Sequence, residues 1–250
     1  MNITPPIPTP PLAEPPRFPV SRAVLATLLA LAAMAASAHW FDQALTLWIH
    51  AHVRESTNTA FEWVGELGDP DLYLAAALAA YVLSLMGLQR GWRCPLQAGF
   101  ERVARVCTLL MATMAVGGIV TLLLKRLVSR ARPEELLDDK FYGIGDFFAG
   151  EPFDSFPSSH TQSAFAVAAV IAIVAPRWRW PVYALATLVA VSRVVNRDHY
   201  LSDVAGGALI AILSAAVLAP RVLSSRYSWP LRAPWRWRQP AGKATPPAQP

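Results

Sequence analysis

The sequence predicts an all-α protein. The expected form is a bundle of six transmembrane helices, with an interfacial amphipathic helix between helices 1 and 2. Three observations carry this expectation. The 250-residue chain is 54% hydrophobic and 16% charged, whereas globular domains usually carry about 25% charged residues. Its apolar residues gather in six segments, near 23–38, 71–88, 103–124, 161–174, 180–195 and 203–218. Several fall short of the roughly 20 residues that a span needs, so their flanks are expected to extend them. The arginines cluster at segment ends instead of forming a long basic run. The net charge of +5 therefore fits membrane orientation, and no nucleic-acid partner is expected.

Along the chain, residues 1–20 hold eight prolines and are expected to be a disordered tail, because proline breaks helices and the stretch has little to bury. The first apolar segment ends in Ala-Ala-Ser-Ala at residues 35–38, which resembles a signal-peptide cleavage site. The five segments that follow favour a first transmembrane helix. Phe41, Leu45, Trp48, Ile49 and Val53 then recur at helical spacing, with Asp42, Gln43, His50 and Arg54 on the other face. That pattern suggests a helix lying in the outer interface. The membrane domain is expected over 21–222, and a second tail, basic and rich in Pro and Trp, over 223–250.

Charge asymmetry orients the bundle. Arg22, Arg90, Arg102, Arg105, Arg177 and Arg179 fall on one side, which should be cytoplasmic together with both termini. The loops 125–160 and 193–203 then face outward from the inner (plasma) membrane, toward the periplasm. They carry Lys125, Arg126, Arg130, Arg132, Lys140, Arg193 and Arg197, an excess of positive charge on the wrong side that topology does not explain. Cys94 and Cys107 have no ligand-type spacing and read as ordinary helix side chains. The acidic run at 134–139 reads as a solvated loop. No metal or other cofactor is expected.

Three short pieces carry chemistry. In "KRLVSRARP", Lys125 and Arg132 are seven apart, so both can share a helix face at the outer end of the third span and hold an anion. In "PSSHT", Ser158 or Ser159 caps a helix whose free N–H groups form an anion site, with His160 at the first turn. In "SRVVNRDHYLSD", His199 and Asp203 are four apart. A carboxylate at that spacing can fix an imidazole tautomer and leave its other nitrogen free. Taken singly, these pieces are also explained by a snorkelling cation, a simple cap and a surface ion pair. Together they supply two histidines, an acid, three cations and a helix N-terminus on one side of the membrane. That set suits phosphoryl transfer with fixed charge in place of a metal.

The ordered set Lys125-x6-Arg132-Pro133, Pro157-Ser158-Ser159-His160 and Ser192-Arg193-x5-His199-x3-Asp203 resembles the three-part signature of the type 2 phosphatidic acid phosphatase superfamily. The resemblance implies a metal-independent hydrolase of lipid phosphates or diphosphates. Its catalytic residues would be His199 as nucleophile, Asp203 as its orienting acid and His160 as proton donor to the leaving oxygen. The phosphoryl group would be held by Lys125, Arg132, Ser158, Ser159 and Arg193. The family usually has glycine where this chain has Ser159. A backbone N–H can serve from serine provided φ is negative there.

Polyprenyl diphosphate, phosphatidylglycerol phosphate, phosphatidate and lipid A phosphates all fit as substrates, with the bilayer as the other partner. Two alternatives stay open: a phosphotransferase of the same superfamily, and a non-catalytic anion-binding membrane protein. The second would need the basic loops but not both histidines and Asp203.

Overall fold

The computed structural model describes residues 20–90 and 96–224. The proline-rich tail up to residue 19, Cys94 and the basic tail from 225 lie outside the described residues. Those described form helices α1 (Val20–Trp40), α2 (Asp42–His52), α3 (Glu55–Glu66), α4 (Pro70–Gln89), α5 (Leu96–Val128), α6 (Pro133–Asp138), α7 (Ser159–Val174), α8 (Arg179–Val195) and α9 (Leu201–Val222). Among them there is no strand, only an isolated antiparallel bridge between Arg130 and Ile144.

Local chemistry sets the helix ends. Asp69 caps α4 by accepting from Asp71 N at 2.8 Å, with Pro70 at the first helical position. Ser158 caps α7. Ser129 has φ 45° and Arg197 φ 63°, and these left-handed residues stop α5 and α8 from running on.

Four stretches are long and apolar enough to cross a membrane: Val20–Trp40, Glu55–Gln89, Gly99–Val128 and Leu201–Val222. α7, with 16 residues, is a shorter apolar helix. α5, α7 and α9 pack against one another at the centre; α4 lies on α5, α8 on α7, α1 on α9 and α3 on α8. Alanine fills the contacts: Ala166 and Ala211 meet Met114, and Ala164 and Ala168 meet Ala186 and Val189. Such small side chains let helix backbones approach closely where lipid offers no hydrophobic drive. At the end of the bundle away from Ser158, Arg105 of α5 donates to the Val222 carbonyl at 3.4 Å and to the Ser224 carbonyl at 2.9 Å, and so ties down the end of α9.

Three expectations change. The segment between α1 and α4 forms two helices, α2 and α3, because Glu55 to Glu66 adds a polar helix that no long apolar run announces. Asp42, placed by periodicity on the outward face of α2, is 1% exposed and points into the protein. Ile49, with Leu45 and Val53 beside it, does pack inward, on Ala190, Val194 and Val204. The acidic run after Arg132 forms the six-residue α6, anchored by the buried Leu136.

Candidate active site

α5 ends at Val128, so Arg132 is not on its face. It is the extended residue before α6 (φ −75°, ψ 161°). The loop 129–158 brings it back to Lys125. Ala131 N donates to Gly143 O at 3.0 Å, Arg132 N to Pro152 O at 3.0 Å, and Ser155 N to Arg130 O at 3.0 Å. The 130–132 segment is thereby held between two other passes of the chain. Both cations converge on Asp154, a residue that no motif singles out. Arg132 Nε donates to Asp154 Oδ1 at 2.7 Å, and Lys125 Nζ stands 3.3 Å from Oδ2. Lys125 also donates to the Asp154 carbonyl. Burial pulls the Asp154 carboxyl upward, but the Arg132 hydrogen bond and the charges of Lys125 and Arg132 outweigh it and hold it below the usual carboxylate range.

The start of α7 lies at the middle of the site. Ser158 Oγ accepts from Thr161 N at 3.5 Å and from Thr161 Oγ1 at 3.1 Å. Ser159 is the first helical residue and is not among the residues of positive φ. Its N–H belongs to the unpaired first turn of α7, and serine serves there without strain. α9 comes close behind. A Cβ on Gly207 would lie 2.4 Å from the Ser158 carbonyl oxygen, so only glycine permits this approach. His160 faces the α3–α4 turn, where a Cβ on Gly68 would lie 2.8 Å from the His160 Cβ.

Arg193 lies in the last turn of α8. Its carbonyl accepts from Asp198 N at 3.1 Å and His199 N at 3.2 Å, which folds the intervening residues into a tight turn and fixes their spacing. Its guanidinium pairs with Asp198 at 3.0 Å. Its buried Nε has no hydrogen-bond partner among the described residues.

His199 precedes α9 and is 4% exposed. Its Nδ1 lies 2.7 Å from the Ser155 carbonyl oxygen and 4.0 Å from Asp203 Oδ2. The direct His199–Asp203 bond expected from a shared helical face is therefore replaced by one to a backbone carbonyl. A carbonyl only accepts, so Nδ1 carries the proton and Nε2 keeps its lone pair. Burial, then the charges of Lys125, Arg193 and Arg132, push the His199 pKa well below the ordinary imidazole value. His160 also lies in the field of Arg193, Lys125 and Arg132. The three cations and two histidines named from the sequence thus share one site.

Asp203 sits behind it, fully buried. Its carboxylate accepts from Arg130 at 2.6 Å, Ser155 Oγ at 2.6 Å and Tyr200 N at 2.9 Å. Its backbone carbonyl accepts from Ser158 N at 3.1 Å. Arg130 also reaches Asp42 at 2.9 Å and Tyr142 Oη at 2.8 Å, with its guanidinium 4.4 Å from the Tyr200 ring centroid. Asp42 accepts in turn from Ser37 at 2.9 Å and from Ser202 N at 3.1 Å. No motif marks Arg130, Asp42, Ser155 or Asp154 as site residues. Only Arg130 had a sequence signal, as one of the unexplained outer-loop cations. Among the described residues, no group of three or more His, Cys, Asp or Glu side chains is placed to hold a metal ion.

Known proteins resemble this chain in sequence and in fold. The family model described as the PAP2 superfamily matches residues 106–226. A lipid A 1-phosphatase of Rhizobium johnstonii is 35% identical over 129 residues, covering 49% of this chain and 53% of that protein. The match thus spans about half of that relative's length. The bacitracin transport permease protein BcrC of Bacillus licheniformis is 30% identical over 162 residues, covering 62% of this chain and 75% of that protein. The crystal structure of a transmembrane PAP2-type phosphatidylglycerolphosphate phosphatase from Bacillus subtilis superposes with a TM-score of 0.54 at 20% identity. It covers 78% of this chain and 92% of that one, and shows a shared fold. With its helical bundle and three ordered motifs, the chain belongs to the PAP2 superfamily.

Proposed function

We propose that this protein is a membrane phosphatase that hydrolyses a lipid phosphate or diphosphate through a phosphohistidine on His199. The observation that supports it most is the state of His199. Its Nδ1–H is committed to the Ser155 carbonyl, which leaves the Nε2 lone pair for attack, and the charges of Lys125, Arg193 and Arg132 act on it. A phosphoryl dianion entering that field neutralises part of its charge and meets a neutral nucleophile.

In the proposed reaction, His199 Nε2 forms a bond to phosphorus as the bond to the leaving oxygen breaks. His160 gives its proton to that oxygen. Water, deprotonated by His160, then attacks the phosphohistidine, releasing inorganic phosphate and restoring His199. Lys125, Arg132 and Arg193 stabilise the equatorial oxygens, with the Ser159 N–H and the start of α7. Ser158 holds the turn from which these donors project. Asp203 acts through Ser155 and so is a positioning residue.

The proposed site lies at the outer, periplasmic face of the inner membrane, in a bundle of six proposed spans (α1, α4, α5, α7, α8 and α9) with both termini cytoplasmic. The short lengths of α7 and α8, 16 and 17 residues, support a site recessed to the headgroup level. At about 1.5 Å per residue neither reaches the roughly 30 Å of a hydrocarbon core. The wrong-side cations then have their cause: Lys125, Arg130, Arg132 and Arg193 are each paired with a buried or half-buried carboxylate of the site.

Purified protein is expected to release phosphate from a lipid phosphate in the presence of a chelator, and His199→Ala to abolish that release. Activity lost with chelator and restored by magnesium, or wild-type turnover by His199→Ala, overturns the proposal.

A further inference from the structure

Beside the phosphate cradle, α4, α5 and α7 enclose a cavity of about 340 Å³. Lys125 and Ser159 stand at its polar end, and Leu74, Met114 and Leu122 supply apolar wall. Two polar side chains interrupt that wall. Thr121 is 2% exposed and Gln162 3% exposed, and Thr121 Oγ1 and Gln162 Nε2 have no hydrogen-bond partner among the described residues. Both residues line the cavity. Unpaired polar groups in such surroundings are costly. The fold also makes room for one of them: a Cβ on Gly117 would lie 2.3 Å from Gln162 Nε2, so glycine at 117 lets that amide rest against α5.

Spacing relates the pair to the cradle. Thr121 is four residues before Lys125 on α5, and Gln162 three after Ser159 on α7. Each therefore lies about one helical turn, roughly 5.4 Å, below the cradle on its own helix. We propose that Thr121 and Gln162 donate hydrogen bonds to an acceptor oxygen carried by the lipid a few bonds from its phosphate. This rests on the reading of the chain as a lipid phosphatase and narrows its substrate class. Glycerolipid phosphates carry ester carbonyls at that depth, and acylated sugar phosphates carry sugar and acyl oxygens. A polyprenyl chain carries none. The second phosphate of a polyprenyl diphosphate, at the depth of Thr121 and Gln162, would meet two neutral donors about one turn below Lys125, a poor exchange for its hydration.

The test measures kcat/KM for phosphatidate, its dialkyl-ether analogue, an acylated glucosamine 1-phosphate, a polyprenyl phosphate and p-nitrophenyl phosphate. Wild type, Thr121→Val and Gln162→Leu are compared. Wild type is expected to favour at least one of the two acyl lipids over polyprenyl phosphate by about tenfold or more, the size of one lost hydrogen bond. Each variant should lose about tenfold on that lipid and stay within about twofold on polyprenyl phosphate and p-nitrophenyl phosphate. If phosphatidate is the lipid affected, its ether analogue should already be slow with wild type. If the glucosamine lipid is affected, the acceptor lies on the sugar or its acyl groups. Variants that slow every substrate alike, variants that slow none, or a wild type that prefers the polyprenyl substrate overturn the proposal. A wild type that hydrolyses no lipid phosphate defeats the functional reading itself.

Discussion

Asp203 Oδ2 lies 4.0 Å from His199 Nδ1, and Ser155 joins them. The Ser155 hydroxyl donates to the carboxylate at 2.6 Å, and its carbonyl accepts from His199 at 2.7 Å. One residue thus transmits the position of a buried acid to the imidazole. Arg130 holds the far side of that acid and links it to Asp42, at the start of α2. His199 is in this way braced against the N-terminal part of the bundle.

Arg130→Met should be the most destabilising single change in the site. It leaves Asp42 and Asp203, both with fully buried side chains, without their shared cation. Breaking a buried pair in this way costs about 3–5 kcal/mol. Thermal unfolding in detergent should show a large fall in Tm. Adding Asp42→Asn, which removes one of the two orphaned carboxylates, should recover part of it. An unchanged Tm for Arg130→Met would contradict the role given to the network.

His199 should be neutral, with its proton on Nδ1, at pH 6.5. Its pKa is lowered by burial and by three cations, so protonation should occur only well below the ordinary imidazole range. Nitrogen-15 spectra of the histidine rings, assigned with His199→Gln, read this directly. An imidazolium at pH 6.5, or an Nε2–H tautomer, would be inconsistent with the nucleophile assignment.

Gly207→Ala should impair turnover at least tenfold, because its Cβ would meet the Ser158 carbonyl oxygen at 2.4 Å and displace the start of α7. Backbone has no rotamer by which to give way. Gly99→Ala, whose Cβ meets nothing within 4 Å, should be neutral or stabilising by about 0.5–1 kcal/mol in its helix. Comparable effects of the two substitutions would rule out the close-approach explanation.

Ser159→Gly should keep kcat within about threefold. The backbone N–H is retained, and the helical φ at this position makes no demand for glycine. A collapse of activity would show that the Ser159 hydroxyl, not the N–H, does the binding.

The parts of the site legible in the sequence were those written in local spacing. The serine cap before α7, the cations at the ends of α5 and α8, and the residues around His199 all lie in runs of a dozen residues or fewer. What was not legible depended on long-range pairing. Arg130 meets Asp203 across 73 residues and Asp42 across 88, and no periodicity marks such partners. Helical phase puts Asp42 outward because phase alone cannot tell a solvated acid from one aimed at a buried arginine. Arg132 left the face of α5 because Ser129 turns the chain with φ 45°, a conformation that serine does not advertise. α3 carries no apolar run, and its residues are polar enough to pass for loop.

In the proposed reaction His199 carries the phosphoryl group. Rapid acid-free quenching of turnover on a lipid [32P]phosphate, followed by alkaline-stable peptide mapping, tests it most directly. Label is expected on the peptide containing His199, absent in His199→Ala and cleared by water more slowly in His160→Ala. Label on another residue, or burst-free turnover with no protein-bound label in any variant, would contradict it.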